Sequence, residues 1–149
     1  SVDGVTGTAM LIDRDKLKLI NNWDTNIFNY FEDMDLCIRF RLSGFEIVKI
    51  RNSEVDHDAF ASHDLSFSKA MDFSRNWHYS WSRIYFLKKH TSHVNALGKG
   101  LLLFINSLIK SIFYSLFKRS KSITHFAKAY GALFSILNFK PSYRPKIKL

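Results

Sequence analysis

The run Glu32-Asp33-Met34-Asp35 places three carboxylates within four positions. It is entered through Tyr30-Phe31 and left through an apolar, arginine-bearing stretch that ends at Gly44. Like charges this close repel, and burying any of them is costly unless something answers the charge. Any fold that contains this run must supply that answer. A metal ion, a sugar hydroxyl, a substrate cation or the N-terminus of a helix would each serve. Carboxylates in a first helical turn also occur with no function at all, because they complement the helix dipole. A calcium loop is excluded. After Asp33-x-Asp35 the next alternate position is Cys37, and the downstream Gly and Glu that such a loop needs are missing.

With 149 residues, the chain has the length of one domain or a piece of a larger one. It opens directly in domain-like sequence, as a segment cut from a longer chain would. Its single cysteine, Cys37, rules out an intrachain disulfide and fits a reducing compartment. The net charge of +9 conceals a strong asymmetry. All 13 acidic residues lie between Asp3 and Asp72, whereas residues 73–149 carry 14 basic residues and no acid. So long an acid-free stretch points to a polyanionic partner, either a membrane surface or nucleic acid.

Hydrophobic periodicity predicts an α/β chain. Thr8 to Ile12 reads as a short buried strand, Asp13 to Ile20 as a short helix, and Asn21 to Asp24 as a turn. Asp33 to Ser43 reads as a helix capped by Gly44, and Phe45 to Ile50 as a second strand. A polar segment from Asn52 to Ser68 precedes an aromatic helix from Phe73 to His90. Two further helices are predicted at Leu101–Phe117 and Ile123–Phe139, with an extended end from Lys140.

The order of elements from residue 3 to residue 90 resembles family 2 glycosyltransferases, and especially their bacterial rhamnosyltransferase-like branch. The residues that carry the resemblance are Gly7 to Arg14 as a small-residue strand and Asn22-Trp23-Asp24 as a turn. The aromatic run, Glu32-Asp33-Met34-Asp35-Leu36-Cys37 and Arg39 follow, then Gly44-Phe45 and Val55-Asp56-His57. The resemblance implies the C-terminal part of a GT-A-like (Rossmann-like) domain at residues 1–93, followed by a basic amphipathic helical tail at 94–149. It implies a nucleotide-sugar donor, inversion at the anomeric carbon, and a glycan or lipid-linked acceptor of surface-polysaccharide synthesis, with rhamnose as the sugar. The family's donor-binding half and its Asp-x-Asp motif have no counterpart here. Asp13-Arg14-Asp15 has the letters, but it follows the small-residue strand and reads as the start of a surface helix. The 149 residues alone are therefore expected not to turn over.

Matched residue by residue, the resemblance makes Asp33 the base that takes the proton of the acceptor hydroxyl. It gives Glu32 to the acceptor and leaves Asp35 as a helix-start residue supporting its neighbours. His57 would complete a divalent-metal site, Mn or Mg, whose other ligands belong to the donor half. Ala59-Phe60-Ala61-Ser62 stands where the family often carries glycine. Arg75 and Trp77 fall where the acceptor or donor would be reached. Trp77 and Trp81, four residues apart, share a helix face that fits either core packing or stacking on a sugar or lipid. His63, His78, His90 and His93 show no ligand spacing. Cys37 reads as a core thiol.

Three readings of the tail remain open. Leu101–Phe117 is slightly short for a membrane span and carries Lys110 near its middle. As an interfacial helix it would gather Asn106, Ser107, Lys110, Ser111 and Ser115 into a polar stripe, with Lys118, Arg119 and Lys121 beside it. It also fits a soluble helix packed on the catalytic domain. The interfacial reading places the protein in the cytoplasm, peripheral at the inner face of the plasma membrane. The competing class is a non-enzymatic basic module for nucleic acid or anionic membrane. No nucleic-acid motif supports the nucleic-acid form of it.

Overall fold

The computed structural model describes residues 1–57 and 67–145. Among them lie five helices: α1 (Arg14–Leu19), α2 (Glu32–Leu42), α3 (Ser68–His90), α4 (His93–Ser115) and α5 (Arg119–Ile136). The last three pack on one another, while the segment between α1 and α2 and the first turn of α2 lie against the C-terminal half of α3.

The described residues contain no β-strand, which overturns the expected α/β, Rossmann-like architecture. Residues 8–12 and 45–50 have the side-chain pattern of strands, but no ladder forms between them or with any other described segment. One backbone hydrogen bond, from Val2 N–H to the Ile47 carbonyl at 2.8 Å, ties the N-terminal segment to residues 45–50. A strand exists only when a neighbour accepts and donates along its length. Without that neighbour the apolar side chains stay in water: Leu11 is 99% exposed, and Val48 and Ile50 are also exposed.

The helices end where local chemistry dictates. Asp13 caps α1 by accepting from the N–H groups of Asp15 and Lys16 at 3.0 and 3.2 Å. Ser92 caps α4 by accepting from Asn95 N–H, so this helix starts at His93, eight residues before the apolar run at Leu101. Three helices close with the same left-handed cap. After α2, Gly44 adopts φ +80°, its N–H bonds Arg41 O, and Phe45 N–H bonds Phe40 O, with the two phenyl rings in contact. Asn138 does the same for α5, with Phe134 and Phe139 as the ring pair. Asn21 does so for α1.

Helix α3 is the spine. One face carries Trp77 and Trp81 into a core completed by Ala127, Tyr130 and Phe134 of α5 and by Tyr143. Helix α5 approaches closely because its inward residues are small: Ala127, Gly131, Ala132 and Ser135 are all buried. At Gly131 an added methyl would run into the Trp77 backbone carbonyl. The α4–α5 seam follows the same logic. Ala96, Gly100, Ser107 and Ser111 face inward, and Ser111 and Ser122 exchange hydrogen bonds with each other's carbonyls at 3.0 and 2.8 Å. The polar stripe expected on α4 is thus divided. Ser107 and Ser111 are buried, whereas Asn106, Lys110 and Ser115 remain exposed. The boundary expected at residues 93/94 falls at the start of α4, and both helices beyond it pack on α3.

The close approach at Gly131 sets a measurable contrast. Gly131→Ala should lower stability by about 1–3 kcal/mol, because backbone cannot move aside as a side-chain tip can. Gly98→Ala in α4, where nothing lies within 4 Å of the new methyl, should raise stability by about 0.5–1 kcal/mol through helix propensity. Urea denaturation of the two variants reads both signs.

Candidate active site

The segment leading into α2 positions the acidic run. Tyr30 and Phe31 both adopt left-handed backbone conformations, φ +65° and +70°. For bulky residues this is strained, and it persists only where surroundings enforce it. Here the surroundings are aromatic and polar contacts to α3. Tyr30 meets Tyr79 edge-on at 5.6 Å, and Phe31 lies between Tyr79 and Phe86. Ser82 Oγ donates to Asn29 O at 2.8 Å, and the Phe28 ring meets His78 at a tilt, 4.7 Å between centres. The double left-handed turn sends the chain abruptly into α2, so all three carboxylates fall in its first turn.

The three then meet different fates. Asp33 remains partly exposed. Its Oδ2 accepts from Gly7 N–H at 2.9 Å and its Oδ1 from Met34 N–H at 2.7 Å. The Asp33 side chain packs beside Gly7, close enough that a methyl added there would make ordinary van der Waals contact with it. Each oxygen keeps a further lone pair for an incoming proton or hydroxyl. Glu32 is half-buried, and its Oε2 is enclosed with no hydrogen-bond partner. Burial pushes its carboxyl above the usual range. Its own backbone N–H partly offsets this, and the Asp33 charge adds to it.

Asp35 is fully enclosed, at 0% exposure. Burial would raise its pKa, but hydrogen bonds from Lys89, His90 and Arg39 outweigh burial and hold it below the ordinary carboxylate value. Lys89 Nζ lies 2.7 Å and His90 Nε2 2.8 Å from Oδ1, and Arg39 Nε lies 2.8 Å from Oδ2. The network extends outward. Arg39 Nη1 donates to the Ile20 and Asn22 carbonyls at 2.7 Å each. Lys89 also pairs with Asp24 at 2.6 Å, which accepts from the Tyr85 hydroxyl at 3.0 Å as well. Burial raises the Asp24 carboxyl, but Lys89, Asn26 and Tyr85 bring it down to about 2.

Of the other residues expected at the site, Arg75 lies on α3. It pairs with Asp72 at 3.2 Å, and with Glu32 it shapes the electrostatic field at the Tyr30 hydroxyl. Trp77 is fully buried in the α3–α5 core, where it packs on Tyr143 and Tyr130 and presents no surface to an acceptor. Trp81 is buried beside it and donates to Phe139 O at 2.9 Å. His57 is exposed, and no group of three metal-ligating side chains forms among the described residues. These residues therefore do not by themselves make a metal site. The Ala59–Ser62 stretch and His63 lie outside the described residues. Sequence reasoning did not single out Lys89, His90 or Asp24 as partners of the acidic run. The signal was present in Lys88-Lys89-His90 as a basic last turn facing an acidic first turn elsewhere, but only packing reveals which turn meets which.

The chain is similar to the rhamnosyltransferase WbbL of Escherichia coli K12, at 31% identity over 88 residues. The match covers 59% of this chain and 32% of the relative, so it spans about a third of that protein's length. This similarity indicates a relationship to glycosyltransferases. No family model matches the chain, and no solved structure matches it.

Two carboxylates of the run should respond to pH with opposite signs. Asp35 stabilises the fold above the ordinary carboxylate range, and that contribution is lost as pH falls through its lowered pKa. Asp35→Asn should cost about 3–5 kcal/mol at pH 7, by leaving buried cations unanswered. The deficit should shrink in acid as the parent loses its own charge. Glu32, with its raised pKa, disfavours the fold once ionised. Glu32→Gln should therefore melt higher than the parent at pH 7, and the gain should vanish below about pH 4, where Glu is protonated even in the unfolded chain. Thermal melts between pH 3 and 8 test both.

Proposed function

We propose that this chain is the acceptor-side segment of a glycosyltransferase. It would transfer a sugar, rhamnose in the first instance, from a nucleotide-sugar donor to a glycan or lipid-linked acceptor of surface-polysaccharide synthesis. The observation that carries the reading is the similarity to a rhamnosyltransferase over a stretch longer than half of this chain. The placement of Asp33 supports it. This carboxylate is partly exposed beside the fully buried Asp35, and backbone N–H groups fix both its oxygens.

In the proposed reaction the acceptor hydroxyl oxygen attacks the anomeric carbon as the bond from that carbon to the nucleoside diphosphate breaks. The hydroxyl proton passes to Asp33. Attack opposite the leaving group inverts the configuration. The base need not be strong, because the hydroxyl becomes acidic only as the new bond forms. Glu32, half-buried beside Asp33, would orient the acceptor by hydrogen bonding through the part of its carboxyl that is not enclosed. Arg75 reaches the same neighbourhood from α3.

The test is Asp33→Asn in the transferase that contains this chain, assayed with nucleotide-activated rhamnose and a lipid-linked glycan acceptor. The amide can still accept from Gly7 N–H, so the local fold should persist. The expected result is a fall in kcat of roughly 10²–10⁴-fold, the usual contribution of a general base, with donor affinity essentially unchanged. Full activity in the variant would remove Asp33 as the base.

A further inference from the structure

Helix α4 is built inside out for a helix in water. Its buried positions are Ala96, Gly100, Ser107 and Ser111, all small residues and two of them polar. Leu101, Leu102, Ile109, Ile112, Phe113 and Leu116 each leave more than half of their surface exposed. At about 100° per residue these form one broad stripe opposite the buried face. Small residues at helix–helix contacts and large apolar residues outside are the pattern of helices that pack in lipid, where backbone approach rather than apolar burial holds the pair together. An apolar stripe this long on a free surface marks an interaction site.

The charge beside the stripe identifies its occupant. Lys99, Asn106 and Lys110 recur along one flank of α4. At that edge the side chain of His125 on α5 lies in the field of Lys128, Lys110 and Lys121. Lys121 Nζ also rests 5.5 Å from the centre of the Tyr114 ring. No acidic residue occurs anywhere from residue 73 onward to answer these charges.

We propose that the exposed face of α4, with the basic edge it shares with α5, docks in the plane of an anionic lipid bilayer. The apolar stripe enters the acyl boundary while the lysines meet headgroup phosphates. A crossing orientation is disfavoured although α4 is long enough, at 23 residues. It would carry Lys110 and its cationic neighbours on α5 into hydrocarbon, at about 2.5–3.5 kcal/mol for each charge at the centre. A second copy packed through the stripe would add its own Lys99 and Lys110 to the same rim, with no acid on either helix to meet them. The proposal is independent of the transfer reaction, since binding needs neither donor nor acceptor.

Vesicle flotation of the 149-residue chain tests it, comparing phosphatidylcholine alone with vesicles containing about 30% phosphatidylglycerol. The expected result is binding to the anionic vesicles, weakened about tenfold or more when NaCl rises from about 0.1 to 0.5 M. Lys110→Glu with Lys121→Glu should weaken binding by about tenfold or more, at roughly 1 kcal/mol per lysine. Ile109→Gln with Ile112→Gln should abolish flotation and leave the circular dichroism melt unchanged, because both side chains are already exposed. Three outcomes overturn the proposal. One is absence of binding, or equal binding by the glutamine variant. Another is salt-resistant binding to both vesicle types that survives alkaline carbonate, which would indicate a spanning helix. The third is a dimer, seen by light scattering, that the glutamine variant dissolves while vesicles bind neither form.

Discussion

A carboxylate with no access to water, Asp35, holds the two parts of this chain together. Its oxygens are answered by Arg39 one turn along α2 and by Lys89 and His90 at the end of α3. Removing such a charge from water is costly, and only several well-placed donors make it tolerable. The consequence is positional. The first turn of α2, with Glu32 and Asp33, is pinned to the last turn of α3, and a displacement of either would strand a buried charge.

The same three-residue turn also organises the rest. Lys88 reaches the other way, donating to Ser135 O at 2.5 Å and Asn138 Oδ1 at 2.8 Å, and so closes the C-terminus of α5. Lys89 adds Asp24 and thereby the Asn21–Asp24 turn. Three consecutive basic residues at the negative end of one helix dipole thus collect α2, the turn before it and α5. The outcome for the candidate site is division of labour among neighbouring acids. Asp35 is spent on the fold, Glu32 is enclosed beside it, and Asp33 is left accessible with its orientation fixed by Gly7.

Much of the local structure was legible residue by residue. Asp13 and Gly44 announce a helix start and a helix stop because each satisfies orphan backbone groups within a few residues of itself. The acidic run likewise declared that something must compensate it. The strands at 8–12 and 45–50 were misread for a physical reason. Alternating side chains are a property of the segment, whereas a strand is a property of a pair. Trp77 shows the same limit. Its helical spacing to Trp81 fits a core or a ligand surface equally well, and only the small residues of α5 arriving against it settle the matter for the core.

The sequence by itself determined the helical segments, their caps, the crowding of charge at Glu32 to Asp35, and the total absence of acid after Asp72. These follow from interactions among residues close along the chain, or from composition. Only the tertiary structure decided which acid would be buried, which face of α4 would turn inward, and that extended segments would go without partners. Those outcomes depend on what arrives from a distance: Lys89 and His90 at Asp35, and α5 at the serines of α4. Long-range packing selects one face of each helix and one carboxylate of each cluster, and no local pattern encodes that choice.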